Sequence, residues 1–392
     1  MKQFIGERLP AYYRSMEKRR AAATRPEGND WMTDMLLGNE EAQSAAVAWN
    51  TALFERGWAQ PGWPREYGGG GLSAMEQFIL KQELTHAEAP EVGSTGGGGQ
   101  IGPTLLVHGT EEQKQRYLPG TLSGKYLWAQ GYSEPGAGSD LASLQTRAVR
   151  DGDEWVINGQ KMWTSNAHKA NWVFLLVRTD PEAPKHRGIS FLFADIKSPG
   201  ISVRPIIGMG GWHATNEVFY ENVRVPADQI VGEENRGWYV GMTLLDYERS
   251  AISGAMQQQK AMRETLDEVQ GGSTPNRREL MRLEVADRAI EVEVNVNLNI
   301  RIATMQARGL VPNYEASMVK AFSSELSQRL ARTGMKTFGL YGALFDTNDP
   351  MAPLRARHVI SYITSVVGTI AGGFNEIQRN IIATRGLGLP RG

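Results

Sequence analysis

Apolar residues recur at helical spacing from Asn39 to Arg56 and again from Ser73 to Glu88, in stretches rich in Ala, Glu and Gln. Pro61-Gly62-Trp63-Pro64 and Gly68 to Gly71 separate these helices, because proline lacks an amide donor and glycine favours turns. The period changes after about Lys125. Trp155 to Gly159, Trp172 to Val177, Gly188 to Phe193 and Val218 to Tyr220 are short β-branched or aromatic runs, and they predict strands. Asp151-Gly152-Asp153 and Ser198-Pro199-Gly200 supply turns between them. From about Gly237 the helical period returns, over Leu244–Val269, Pro275–Gly309, Glu315–Gly334 and Tyr362–Thr384. The pattern predicts an α+β chain in three parts: an α-helical segment 1–124, a β segment 125–228 and an α-helical segment 229–392. There is no internal repeat and no long low-complexity tract.

Composition narrows the function classes. A chain of 392 residues exceeds one ordinary core, and 41% hydrophobic residues suffice to build more than one. A formal net charge of -1 argues against binding nucleic acid through bulk charge. The absence of cysteine excludes disulfides and thiolate metal sites, and the six histidines show no metal-ligand spacing, so no metal is expected. Met1 to Arg20 is charged and lacks the apolar core of a signal peptide. No run reaches the roughly 18 apolar residues of a membrane span. A cytoplasmic protein is the expectation.

Two segments carry chemistry. Gly131-Tyr132-Ser133-Glu134-Pro135-Gly136-Ala137-Gly138-Ser139-Asp140 combines backbone freedom with hydroxyl and amide donors. Asn158-Gly159-Gln160-Lys161-Met162-Trp163-Thr164-Ser165-Asn166 ends in an indole beside two hydroxyls. Taken singly, the first reads equally as a surface turn and Trp163 as a core aromatic. Together they can hold a large, flat, polar-edged cofactor with a phosphate tail, the indole shielding it from water.

These two segments resemble the flavin loops of the acyl-CoA dehydrogenases. Further matches follow in order: Gly109 to Pro119, Val223-Arg224-Val225-Pro226, Val231 to Trp238 and Glu376 to Ala383. The resemblance thus covers nearly the whole chain. It implies an N-terminal helical domain, a middle β-barrel-like domain and a C-terminal four-helix bundle. It also implies FAD, oxidation of an acyl-CoA thioester to the trans-2-enoyl form, and an electron-transfer flavoprotein as acceptor. The cofactor-binding residues it implies are Gln130, Tyr132, Ser133, Gly138, Ser139, Trp163, Thr164 and Ser165.

The reaction needs a base for the α-proton while a β-hydride moves to flavin N5, and a carboxylate in a dry site suits it. Many family members carry that glutamate before the final Ile-Gln-Arg run, where this chain has Gly372. A minority places it in a motif like Asp-Leu-Glu-Arg. Leu245-Asp246-Tyr247-Glu248-Arg249 matches that motif and makes Glu248 the expected base, with Gly372 leaving room for it. Ser139, Asp246 and Arg249 are the substrate contacts implied by resemblance. The run Val92 to Gln100, with four consecutive glycines, aligns with the deep end of the acyl pocket. Gly97 and Gly98 would widen it for a bulky acyl group such as a steroid side chain. The competing reading of that run is a flexible connection.

The chain departs from homotetrameric members at the motifs that complete a neighbour's FAD site. Gln257 to Arg278 lacks an Arg-x-x-Phe-Gly-like motif, and Phe338-Gly339-Leu340-Tyr341-Gly342 replaces a Gly-Gly-x-Gly. This pattern resembles the catalytic subunit of the bacterial α2β2 enzymes of steroid catabolism. It implies a second acyl-CoA dehydrogenase-like subunit, with a homotetramer as the rival arrangement. An oxygen-using relative (acyl-CoA oxidase, nitroalkane oxidase or flavin monooxygenase) and a non-catalytic partner subunit are the other functional readings.

Overall fold

The computed structural model describes residues 1–15, 30–92, 97–248, 252–270 and 278–390; at 97, 245–248, 252–253 and 278–280 it describes backbone alone. The chain divides into two compact units, Met1–Ala46 with Leu72–Pro90 and Arg249–Gly392, and Val47–Gly71 with Glu91–Glu248.

The first unit is helical: α1 (Lys2–Arg8), α2 (Ala11–Arg14), α3 (Trp31–Leu37), the start of α4 (Glu40–Glu55) and α5 (Ala74–His86). Helix α4 buries Ala42, Ala45, Ala46, Trp49 and Leu53, one stripe at the predicted helical spacing. Helix α5 starts where Ser73 and Glu76 form a reciprocal cap, each side chain meeting the other's backbone N–H. In the second unit lie α6 (Gly102–His108), α7 (Glu111–Leu122) and α8 (Gly237–Glu248). Helix α7 starts with a second such cap, Thr110 with Gln113. The first unit continues with α9 (Ile252–Gln270), α10 (Arg278–Ala307), α11 (Tyr314–Phe338), α12 (Arg357–Gly368) and α13 (Asn375–Ile381). Helices α9 to α12 pack on one another in sequence, and α5 packs on α9 and α10. Phe78 of α5 shares a core with Ala255, Met256, Val296 and Ala303.

The predicted helix Tyr362–Thr384 is instead two helices. Gly372 (φ +67°) and Gly373 (φ +88°) sit between them in the left-handed region, where a helix cannot continue. Lys320 Nζ holds this turn by donating to Gly373 O and to Asn375 Oδ1 at 2.8 Å.

The second unit is built on a seven-stranded sheet of order β1-β4-β2-β3-β7-β6, with β5 paired to β4. The strands are β1 (Trp128–Gly131), β2 (Arg147–Asp151), β3 (Glu154–Lys161), β4 (Trp172–Arg178), β5 (Ile189–Asp195), β6 (Ile201–Ile207) and β7 (His213–Pro226). Neighbours β1 and β4 run parallel, while β3–β7, β4–β5 and β6–β7 run antiparallel. Strands β1, β2 and β6 escape the sequence pattern. All of β2 except Ala148 is exposed, and its sequence is mostly charged. Strand β6 ends the sheet and carries Pro205, which only an edge accommodates.

Val173 to Val177 and Ile189 to Ala194 are buried throughout, so β4 and β5 are covered on both faces. One face packs Val173, Leu175 and Val177 against Trp155, Ile157, Val218, Val223 and Val225. The other joins Trp128, Trp172 and Phe193 around Tyr117 of α7, with ring centroids 5.2–5.6 Å from it. Burial pushes the Tyr117 phenol up to about 12, and its hydroxyl donates to Gln229 Oε1. Helix α7 is held a second time by Gln113, whose amide donates to Asp228 O at 2.8 Å and Ile230 O at 2.7 Å.

In the helical unit, His358 of α12 is 7% exposed, stacks on Phe338 and meets Thr265 Oγ1 at 3.3 Å. That hydroxyl already donates to Ala261 O, so the imidazole Nε2 acts as donor to it. Burial, aided by the Arg357 charge, pushes His358 down to about 4. As pH falls below 6.5 the unfolded chain takes up this proton first, so stability is lost between pH 6.5 and about 4. The full loss is roughly 3 kcal/mol. His358→Gln should remove that part of the pH dependence; denaturant unfolding at pH 7 and pH 4.5 checks it, and identical slopes for both proteins would refute it.

Candidate functional site

The site is assembled where β1 and β3 end and β7 begins. Strand β1 leads into Tyr132, whose side chain is 5% exposed, and then into the loop through Asp140. Met162 N, just past β3, donates to Ser133 O at 2.8 Å. This bond brings together the two segments singled out in the sequence. Asn216 of β7 then pairs with Thr164 in both directions, N–H to O at 2.9 and 3.1 Å, and Asn166 N donates to Ala214 O at 2.9 Å.

Within the loop, Glu134 and Ala137 exchange backbone bonds of 2.9 and 3.1 Å, closing a tight turn around Pro135-Gly136. The Glu134 carboxylate accepts from Gln145 N at 2.7 Å, Thr146 N at 2.9 Å and Lys161 Nζ at 2.8 Å. Burial alone would raise the Glu134 pKa; Lys161 and these hydrogen bonds outweigh it and hold the carboxyl below its usual value. Lys161 is fully buried, and desolvation brings it down to about 8 against the pull of Glu134.

Gly136, Gly138 and Ser139 lie on the exposed side of this loop. A Cβ added at Gly136 or Gly138 would meet nothing within 4 Å. Among the described residues, no protein acceptor meets the N–H groups of Gly138 and Ser139. Trp163 is 56% exposed with φ +60°, a backbone conformation uncommon for a bulky residue. Ser165 is exposed beside it, whereas Thr164 is fully buried. Thr164 Oγ1 and Gln130 Nε2 are both buried without a hydrogen-bond partner. Unsatisfied buried groups are costly, so a pair of them beside an exposed indole and an open glycine loop marks a place for a polar-edged planar ligand. The donor set fits a flavin nucleotide.

Behind this strip two imidazoles stack, those of His168 and His213, with centroids 3.8 Å apart. The buried Asn216 serves both: its Oδ1 meets His213 Nε2 at 2.7 Å, and its Nδ2 meets His168 Nδ1 at 3.2 Å and Thr164 O at 2.9 Å. Burial, then the His213 and Lys169 charges, keep His168 below its usual pKa. Sequence reading missed Asn216, the histidine pair and the role of Glu134 with Lys161. Only the polar type of Asn216 inside a strand signalled them.

Helix α8 packs against β4, β5, α6 and the π-turn Gly97–Ile101. A Cβ at Gly241 would sit 3.2 Å from Tyr132 Oη, so α8 runs close beside the start of the Gly131–Asp140 loop. His108 Nε2 and Thr243 Oγ1, 2.8 Å apart, fix it to α6. Asp246 and Glu248 are on the last turns of α8 and are described as backbone only. Arg249 and Gly271-Gly272-Ser273-Thr274-Pro275 lie outside the described residues. Gly372 needs its glycine for the left-handed turn, a local reason independent of room for a carboxylate; a Cβ there meets nothing within 4 Å.

The glycine run splits in its surroundings. Val92, at its start, is buried; 93–96 lie outside the described residues, and Gly97 is described as backbone alone. The Cβ position of Gly98 is filled by the Gln60 amide, 1.7 Å away, and that of Gly102 by the Trp63 ring. At Gly99 nothing lies within 4 Å. The missing side chain at 98 is thus replaced by protein. Gly99→Ala should be tolerated or stabilising by up to about 1 kcal/mol, since alanine favours helix. Gly98→Ala should lower the melting temperature, and adding Gln60→Ala should recover it; thermal denaturation of the three proteins is the check.

Comparison with known proteins agrees with this geometry. The chain matches the models of the acyl-CoA dehydrogenase N-terminal domain over residues 29–125, the middle domain over 129–223 and the C-terminal domain over 235–387. It is 37% identical over 381 residues to the acyl-CoA dehydrogenase IpdE1 of Mycobacterium tuberculosis, covering 92% of this chain and 96% of that one. Among solved structures it resembles the Tcur3481-Tcur3483 steroid ACAD, with TM-score 0.82 and 36% identity, over 100% of this chain and 95% of that one. It also resembles a chain of the ChsE4-ChsE5 complex from Mycobacterium tuberculosis, with TM-score 0.80 and 38% identity, over 92% and 95% of the two chains. Among the described residues, no helix is long and apolar enough to cross a membrane. The chain belongs to the acyl-CoA dehydrogenase family of flavoprotein oxidoreductases.

Proposed function

We propose that this chain is the catalytic subunit of an FAD-dependent dehydrogenase that converts a bulky acyl-CoA thioester to its trans-2-enoyl form. The observation that carries the reading is the convergence of Gln130–Ser139 with Trp163–Ser165, which leaves Gln130 Nε2 and Thr164 Oγ1 buried without protein partners. Gln130, Tyr132, Ser133, Gly138 and Ser139 would line one side of the flavin, and Trp163, Thr164 and Ser165 the other. When bound, FAD supplies a hydride acceptor at N5. The protein's task is then to bind the thioester, exclude water and remove the α-proton.

Glu248 is the base in this reading. The buried positions of α8 run Gly237, Val240, Gly241 and Leu244. Glu248 continues that register one turn beyond Leu244. Two turns separate it from Gly241, the point where α8 meets Tyr132. The α-proton removal this reading assigns to it calls for a carboxylate in a dry site, where basicity rises. Ser139, Asp246 and Arg249 are assigned to the CoA thioester, and Gly97 and Gly98 to the far end of the acyl site. The steroid description of the Tcur3481-Tcur3483 relative supports a large, fused-ring acyl group. The three-part division at 124/125 and 228/229, a cytoplasmic setting and an electron-transfer flavoprotein as acceptor belong to the same reading.

Glu248→Gln should leave flavin content unchanged and cut dye-linked turnover by roughly 10²- to 10⁴-fold, the usual worth of a general base. Turnover near wild type would remove Glu248 from the role. Release of hydrogen peroxide in step with substrate consumption would instead make the enzyme an oxidase.

The quaternary reading is an assembly with a second acyl-CoA dehydrogenase-like subunit that completes the FAD site. It is supported by the missing neighbour-contact motifs at Gln257–Arg278 and Phe338–Gly342, and by the two-protein composition of the ChsE4-ChsE5 relative. Purified alone, the chain should be colourless; co-expressed with its partner, it should carry the flavin absorbance. One flavin per chain in the protein alone would establish a homo-oligomer instead.

A further inference from the structure

Lys161 and Glu134 form a buried ion pair in the β unit, with side chains 0% and 8% exposed. Such a pair gains little net stability, because desolvating both charges offsets most of their attraction. Its geometry has a different consequence. Lys161 projects from the last residue of β3 and donates to Tyr132 O at 3.1 Å and to Glu134 Oε1 at 2.8 Å. Glu134 in turn takes the N–H groups of Gln145 and Thr146 on its two oxygens. Met162 N takes Ser133 O. Tyr132, Ser133 and Glu134 are therefore each tied to the sheet by a separate bond. Beyond them, Gly136 and Gly138 have no side chain, and among the described residues no protein acceptor meets the N–H groups of Gly138 and Ser139.

We infer that the Lys161–Glu134 pair is the positioning device of the cofactor loop, fixing the backbone of residues 132–139 from beneath before any ligand arrives. Neither side chain faces the ligand. Lys161 fills space beside Gly131, where a Cβ would lie 3.5 Å from its Cγ. The pair acts by holding the arch that carries Gly138 and Ser139, whose N–H groups meet no protein acceptor among the described residues. Arg178 of β4 is the other charged group that bears on Lys161; its guanidinium donates to Ala142 O at 2.6 Å and so braces the far end of the same loop. A loop ordered in advance loses less entropy on binding, so the device appears as ligand affinity. The inference rests on reading Gly131–Asp140 as the flavin loop.

The test compares Lys161→Met, Glu134→Gln and the double variant. Hydrogen exchange at Ala137 and Met162, whose N–H groups donate to Glu134 O and Ser133 O, is measured on the flavin-free full chain. FAD affinity is measured on the assembly that co-expression identifies. Melting temperature is measured on both. Each single variant leaves a buried group unpaired and should melt lower. The double variant removes both charges and should recover most of the melting temperature. In the double variant, exchange at Ala137 and Met162 should remain at least 10-fold faster than wild type and FAD binding at least 10-fold weaker. Recovery of exchange protection together with melting temperature would show a purely structural pair and overturn the inference. Faster exchange with unchanged FAD affinity would uphold the ordering of the loop by the pair and overturn the flavin reading of that loop.

Discussion

The structure of the β unit depends on two strands buried along their whole central runs. From Val173 to Val177 and from Ile189 to Ala194 all but Ser190 are apolar, and each fully buried Val, Leu, Ile or Phe contributes on the order of 1.5–3 kcal/mol. Both of their faces therefore demand cover. One face takes the apolar side of β3 and β7; the other takes the aromatic group around Tyr117 and the buried stripe of α8. These coverings bring the ends of β1, β3 and β7 to one place and run α8 alongside them. The site occupies the edge of this packing, where the apolar cover stops and polar groups are left facing out.

At that edge the chemistry reverses. Around α7 the polar atoms find partners: Tyr117 finds Gln229, Trp128 Nε1 finds Thr121 Oγ1 at 2.9 Å, and Gln113 finds two carbonyls. Next to the exposed indole of Trp163, Gln130 and Thr164 keep buried polar atoms without partners. Buried polar atoms without partners on the two segments that meet at the Ser133–Met162 bond give that place a capacity to bind a polar-edged ligand. The left-handed Trp163 and the amides of Gly138 and Ser139, which meet no acceptor among the described residues, belong to the same local exception.

The sequence made some of this legible and not the rest. The α4 stripe and the β4 and β5 runs were readable, because burial on one helix face or on both faces of a strand leaves a periodic or continuous apolar record. Strands β2 and β6 were not, because exposed edge-like strands hold their place through backbone pairing, which leaves no apolar pattern. The break at Gly372-Gly373 was visible as glycine but not as a turn, since a glycine pair inside a helical pattern signals only a cost. Asn216 and the His168–His213 stack were invisible for another reason: each is an ordinary polar residue until a partner some fifty positions away is folded against it.

By itself the sequence determined the helical, β, helical order and the family, because local periodicity and contiguous motifs are written along the chain. It also placed the cofactor loop and the indole segment as two candidates. Tertiary structure decided that those two meet at the Ser133–Met162 bond and that the loop is held by Lys161 through a buried charge. It decided as well that Gly98 is matched by Gln60 rather than by open space. The physical reason is common to all three: hydrogen bonds, desolvated charges and filled volumes are properties of neighbours in space, and sequence spacing does not encode which neighbours those will be.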